Sequence, residues 1–140
     1  MQFRKEGDQY FIRFDPNENV LELLTQLISV EEIKSGFFTA VGALKFAKLR
    51  YFDQNSHDFL EKTFEEGMEI TSFSGNITVM SGNPYIHPHI VLGRSDFSTI
   101  SGHLAEGIVG PTVEMVLIRT KVFVDRIADS GIGLNIFKFS

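Results

Sequence analysis

Three of the four histidines of this chain lie between positions 87 and 103. His87 and His89 flank a proline in the run Tyr85-Ile86-His87-Pro88-His89-Ile90-Val91-Leu92-Gly93. Alternate side chains of an extended strand share a face, so these two imidazoles point the same way, their Cβ atoms roughly 6–7 Å apart. His103 stands in Ser101-Gly102-His103-Leu104 and joins them if that segment returns alongside. Three neutral imidazoles on one wall, with a fourth position left open, are a common way to hold a divalent metal. Zinc is the first expectation, and nickel, iron or cobalt would also suit imidazole. A bare His-x-His is a weak signal, and the plainer alternative is two edge-strand histidines facing water with His103 as a local cap. An ion with an open position also lowers the pKa of bound water to about 7 and supplies a nucleophile. Glu114, inside an apolar stretch, is the candidate general base or acceptor for a ligating histidine, and a partner for Arg94 or Arg119 is its plainer role.

Elements must bring these residues together. Gln9-Tyr10-Phe11-Ile12-Arg13-Phe14 reads as a strand with Phe3-Arg4-Lys5 as its hairpin partner. Asp15-Pro16-Asn17-Glu18 reads as a helix start, with Asp15 capping, Pro16 first and Glu18 third. The expected helix runs over about 16–34. Val20, Leu21, Leu23, Leu24, Leu27 and Ile28 form its apolar stripe, and Gly36 ends it. Strands are expected over 37–44, 47–52, 59–64, 68–81, 85–92, 97–104, 112–124 and 134–139, with a loop through Ala105-Glu106-Gly107 and Gly110-Pro111. Gly75 marks a bulge, a bend or a close backbone approach, and Pro88 puts its strand at an edge or on a bulge. One substantial helix among many strands, without βαβ alternation, gives an α+β domain with a mainly antiparallel twisted sheet.

The 140 residues suit a single domain over 1–140, large enough to bury a core without staples. The absence of cysteine removes disulfides and thiolate ligands. With no apolar run at the N-terminus to serve as a signal peptide, a cytoplasmic protein is expected. No run approaches the roughly 20 apolar residues of a membrane helix. The formal charge of −5 argues against a domain that neutralises phosphates, and the densest basic group is only Lys45, Lys48 and Arg50. These read as a solvated strand face, His57 as a loop residue, and Asp96 and Glu106 as surface carboxylates.

Several segments resemble the PPC (plants and prokaryotes conserved) domain. They are Gly42-Ala43-Leu44 with Leu49-Arg50-Tyr51; Glu69-Ile70 with Ser72-Phe73-Ser74-Gly75-Asn76-Ile77; His87-Pro88-His89-Ile90-Val91-Leu92-Gly93; Ser101-Gly102-His103-Leu104; and Thr112-Val113-Glu114. The resemblance implies a compact α+β domain that assembles as a homotrimer and contacts protein partners. In plants the DNA contact belongs to adjoining AT-hooks; no Arg-Gly-Arg-Pro core occurs here, and the plant Gly-Arg-Phe-Glu-Ile-Leu segment stands as Glu66-Gly67-Met68-Glu69-Ile70-Thr71, without its arginine. The leading expectation is therefore a stand-alone homotrimer that binds one divalent metal per chain through His87, His89 and His103, in a regulatory ligand- or partner-binding role. A metal-dependent hydrolase is the alternative, and DNA binding by family association the third.

Overall fold

The computed structural model describes residues 1–139. The elements, in chain order, are β1 (Gln2–Glu6), β2 (Gln9–Phe14), α1 (Val20–Val30), β3 (Gly36–Asp53), β4 (Asp58–Phe64), β5 (Met68–Met80), β6 (Asn83–Gly93), β7 (Thr99–Arg119), β8 (Asp125–Asp129) and β9 (Leu134–Lys138). The nine strands belong to one sheet, antiparallel except where β8 meets β5 at Asp125 and Val79. The expected α+β architecture with one helix is what the chain adopts.

The sheet closes on itself. β3 pairs with β5 and β7, β5 pairs with β6, and β6 pairs with β7, so these four strands form a circuit. The turning is done by register shifts at Ala40/Gly42, Leu44/Phe46 and Lys48/Leu49 of β3 and at Ile70/Ser72 of β5. Each shift bends its strand and raises the local twist, which lets a long ribbon curl. This is why the expected breaks within 37–52 and 97–119 are not loops: β3 and β7 run continuously, and Ala105 to Pro111 stays paired to β3 through most of its length. The enclosed face carries Leu44, Leu49, Phe73, Ile77, Ile90, Leu92 and Leu104, each at most 5% exposed, and α1 covers one side with Val20, Leu24, Leu27 and Ile28. The 14 phenylalanines divide between this core, where Phe38 and Phe73 meet edge to face, and exposed positions.

The helix is shorter than 16–34. Asn17 has φ 71°, its N–H donates to the Val109 carbonyl, and the Val109 N–H donates to the Glu18 carbonyl. This pairing with β7 pulls 17–18 out of helical geometry. Half of the expected capping box survives, since Glu18 still accepts from the Asp15 N–H, but the cap is Asn19, whose side chain accepts from the Glu22 N–H. The far end closes at Glu32, in the left-handed region at φ 52°, with the Ile33 N–H on the Ile28 carbonyl. Gly36 instead opens β3. Val122-Phe123-Val124 leave the strand after Arg119, and the short strand β8 follows them.

Two glycines permit the close approaches that the site needs. A Cβ at Gly75 would stand 2.7 Å from the His87 carbonyl oxygen and 2.6 Å from the Phe38 ring, and one at Gly102 would stand 2.8 Å from the Arg50 carbonyl oxygen. Gly75 thus marks a close approach of backbones, while the bulge in β5 falls at Ile70/Ser72. Gly75→Ala should cost about 1–3 kcal/mol of stability, since neither neighbour can retreat without moving β6 or the core. Urea denaturation would measure it, and an unchanged midpoint would contradict the packing.

Candidate metal centre

β6 presents Tyr85, His87, His89 and Val91 on its outer face, and Ile86, Pro88, Ile90 and Leu92 toward the core. Opposite them on β5 stand Thr78, Asn76, Ser74 and Ser72. β7 joins the other side of β6 only from His89 onward, with His89 and His103 as register partners. Pro88 is therefore the last residue of β6 whose β7 flank is unpaired, an edge position of the kind a missing N–H requires. The three histidines come from two adjacent strands, as the spacing predicts.

Their ring nitrogens lie within 4.8 Å of one another. His87 Nε2 and His89 Nε2 are 3.2 Å apart. Two nitrogens bound to one tetrahedral zinc at 2.0–2.1 Å would stand roughly 3.3 Å apart, so this pair is already at ligating separation. The rings meet at centroid distances of 5.1, 5.5 and 5.5 Å. His87 and His103 are half-buried and His89 is exposed. Burial first, and then the neighbouring His87 and His89 with Arg50, lowers the pKa of His103 to about 4. Burial also lowers that of His87, followed by His89 and Arg126. Both rings are thus neutral near pH 7 with lone pairs available. The donor set fits a borderline divalent ion, and His87, His89 and His103 would hold it.

The histidines open onto a concavity of about 1120 Å³, walled by the aromatic rings of Tyr51, Phe52, Phe59 and Phe137. No Asp or Glu lines it among the described residues. Glu114 is not brought to it. It lies eleven positions beyond His103 on β7, exposed, between Arg13 on β2 and Val41 on β3. Its anticipated partners are engaged elsewhere: Arg94 with Glu66, and Arg119 with Asp8. The basic group is an ion-paired surface, with Lys48 near Glu61 and Glu106 and Arg50 on Glu61. Asp96 accepts from the Ser98 N–H in a turn, and His57 sits exposed in another.

Arg126 escaped sequence reasoning. It is 6% exposed, donates to Thr78 Oγ1, Asn76 Oδ1 and the Asn135 carbonyl, and stands against the Tyr85 and Phe137 rings. A lone arginine in a five-residue strand leaves no periodic signal.

The family model described as the Plants and Prokaryotes Conserved (PCC) domain matches residues 1–121. Among solved structures, a protein from Bacteroides thetaiotaomicron provisionally described as DNA-binding is 32% identical, with a TM-score of 0.95, covering 99% of this chain and 96% of its own. A metal-containing protein from Archaeoglobus fulgidus is 26% identical, with a TM-score of 0.87 and 99% of each chain covered. A plant- and prokaryote-conserved protein from Pyrococcus horikoshii, 24% identical, shares the fold with a TM-score of 0.86 over 99% of this chain and 96% of its own. No curated protein matches the chain.

Proposed function

The chain belongs to the Plants and Prokaryotes Conserved (PCC) domain family, and from that premise we propose that it is a homotrimer binding one divalent metal per chain, zinc first, through His87, His89 and His103. The carrying observation is the 3.2 Å separation of the His87 and His89 nitrogens, with His103 as register partner of His89. The metal-containing relative from Archaeoglobus fulgidus supports the same reading. The ion would supply Lewis acidity at the wall of the concavity that the three histidines line. The protein supplies neutral imidazoles and aromatic walls.

A ligand- or partner-binding role, regulatory in effect, suits this surface better than hydrolysis. A hydrolytic site needs a group to take a proton within hydrogen-bond reach; Glu114 stands on another face, and the lining described above holds no carboxylate. The DNA-binding description of the Bacteroides thetaiotaomicron relative is not carried over, because a net charge of −5 opposes phosphate contact. Self-association is supported by the outer face of β2, β7 and β3, where Phe11, Phe37 and Val41 are 61%, 53% and 58% exposed in rows with Val116, Ile118 and Glu114. Apolar side chains grouped this way usually mark an interface. On this reading Glu114 and Arg13 are interface residues.

Elemental analysis of untagged protein should find near one metal per chain, and light scattering should give three times the chain mass. Metal-free protein after incubation with zinc would refute the site, and a monomer would refute the assembly. Among the described residues no helix is long and apolar enough to cross a membrane.

A further inference from the structure

Arg126 is a buried cation with no carboxylate within 4.0 Å among the described residues. Burying an unpaired charge is costly, and proteins ordinarily pair it. Its guanidinium carries five N–H donors. Among the described residues three hydrogen bonds engage it, one each from Nε, Nη1 and Nη2. Two N–H donors, one on each terminal nitrogen, have no acceptor among those residues.

Its place is specific. Thr78 and Asn76, which it grips on β5, are the register partners of Tyr85 and His87 on β6. Its guanidinium carbon stands 4.5 Å from the centre of the Tyr85 ring and 4.6 Å from that of Phe137. It thus lies on the outer face that carries the histidines, one pleat along from His87, and lines the same concavity. Both rings lie against the guanidinium, and the remaining donors on its terminal nitrogens are what an incoming acceptor can meet. A planar guanidinium with donors on both terminal nitrogens suits a carboxylate, which can accept two N–H bonds. Arg50, the other arginine of the concavity, is committed to Glu61 at 2.8 Å. One uncommitted cation suits a singly charged carboxylate better than a dianionic phosphate. Arg126 lies beyond residues 1–121, so the family match assigns it nothing.

We propose that the histidine-lined concavity takes a small organic carboxylate, with Arg126 binding the carboxylate and the rest of the molecule lying toward His87, His89 and His103. This rests on the metal-site reading above, and it names the ligand class of that site.

The test is isothermal titration calorimetry on zinc-loaded protein with glycolate, 3-hydroxybutyrate and benzoate, each beside its carboxamide. Metal content is measured on the same samples. The expected result is that at least one acid binds the unaltered protein about tenfold or more tighter than its amide, since hydrogen bonds to a charged acceptor exceed those to a neutral one. Arg126→Gln should erase the preference while metal content stays near one per chain. Because Arg126 also ties β8 to β5, the variant could unfold, and the Arg126 Nε resonance of the unaltered protein supplies a second readout. It should shift with acid and not with amide. Equal binding of acid and amide, an acid preference that survives Arg126→Gln, or an unmoved Nε resonance would overturn the inference. An absence of zinc would overturn the metal reading, and it is seen independently of the calorimetry.

Discussion

Replacing His103 with alanine should remove most of the stability that zinc adds while leaving the metal-free protein nearly as stable as before. The proposed ligand set spans two strands: His87 and His89 belong to β6, and His103 reaches them from β7 across a register that begins only at His89. An ion there would fasten the sheet where the β6–β7 pairing starts. Binding to the folded state alone adds about 4 kcal/mol when free metal is a thousandfold above its dissociation constant. In a chain of this length that is a rise in Tm of about 10–15 °C. Losing partners that merely orient a ligating histidine costs 10–100-fold in affinity, so losing one of three ligands should cost more than about 100-fold. In excess chelator, unaltered protein and His103→Ala should melt within a few degrees of each other, because no side-chain hydrogen bond of the half-buried His103 is found among the described residues. With zinc at that same free concentration, the unaltered protein should rise by the full amount and His103→Ala by no more than about 5 °C. A rise in His103→Ala equal to that of the unaltered protein would mean that the ion sits elsewhere.

The histidine cluster was legible because two periodicities coincide. Two-residue spacing on a strand fixes His87 and His89 to one face, and a fourteen-residue return is what an antiparallel neighbour needs to place His103 opposite His89. The helix stripe was legible for the same reason, at its own period. Its start was not, because the competing partner of residues 17–18 is the backbone of Val109, more than 90 positions away. Long-range pairing likewise hid the continuity of β3 and β7. Glycine and proline ordinarily punctuate strands, but here Gly102 and Gly75 permit close approach and Pro111 is carried within β7. Arg126 was illegible for a different reason. Its significance lies in the partners it has and lacks, which only the fold assembles.

Metal-free protein should lose stability steeply as pH falls from about 6.5 toward 4, and His103 should account for much of the loss. Burial holds the His103 pKa at about 4 in the folded chain, against about 6.5 for an unperturbed histidine. Between those values the unfolded chain carries a proton at this position and the folded chain does not. The unfolded state binds more protons, so stability rises with pH through the window and is lost on acidification. The full shift corresponds to no more than about 3 kcal/mol, and partial exposure of the ring reduces it to about 2. His87, lowered by burial as well, acts in the same direction. The measurement is urea denaturation in chelator at pH 7 and pH 4.5, on unaltered protein and on His103→Gln, which keeps bulk and polarity without a titrating group. The unaltered protein should lose about 2 kcal/mol more than the variant between the two pH values, and equal losses would contradict a buried neutral imidazole. The same neutrality of His87 and His103 would favour retention of a bound metal in mild acid, since protons compete poorly for their nitrogens.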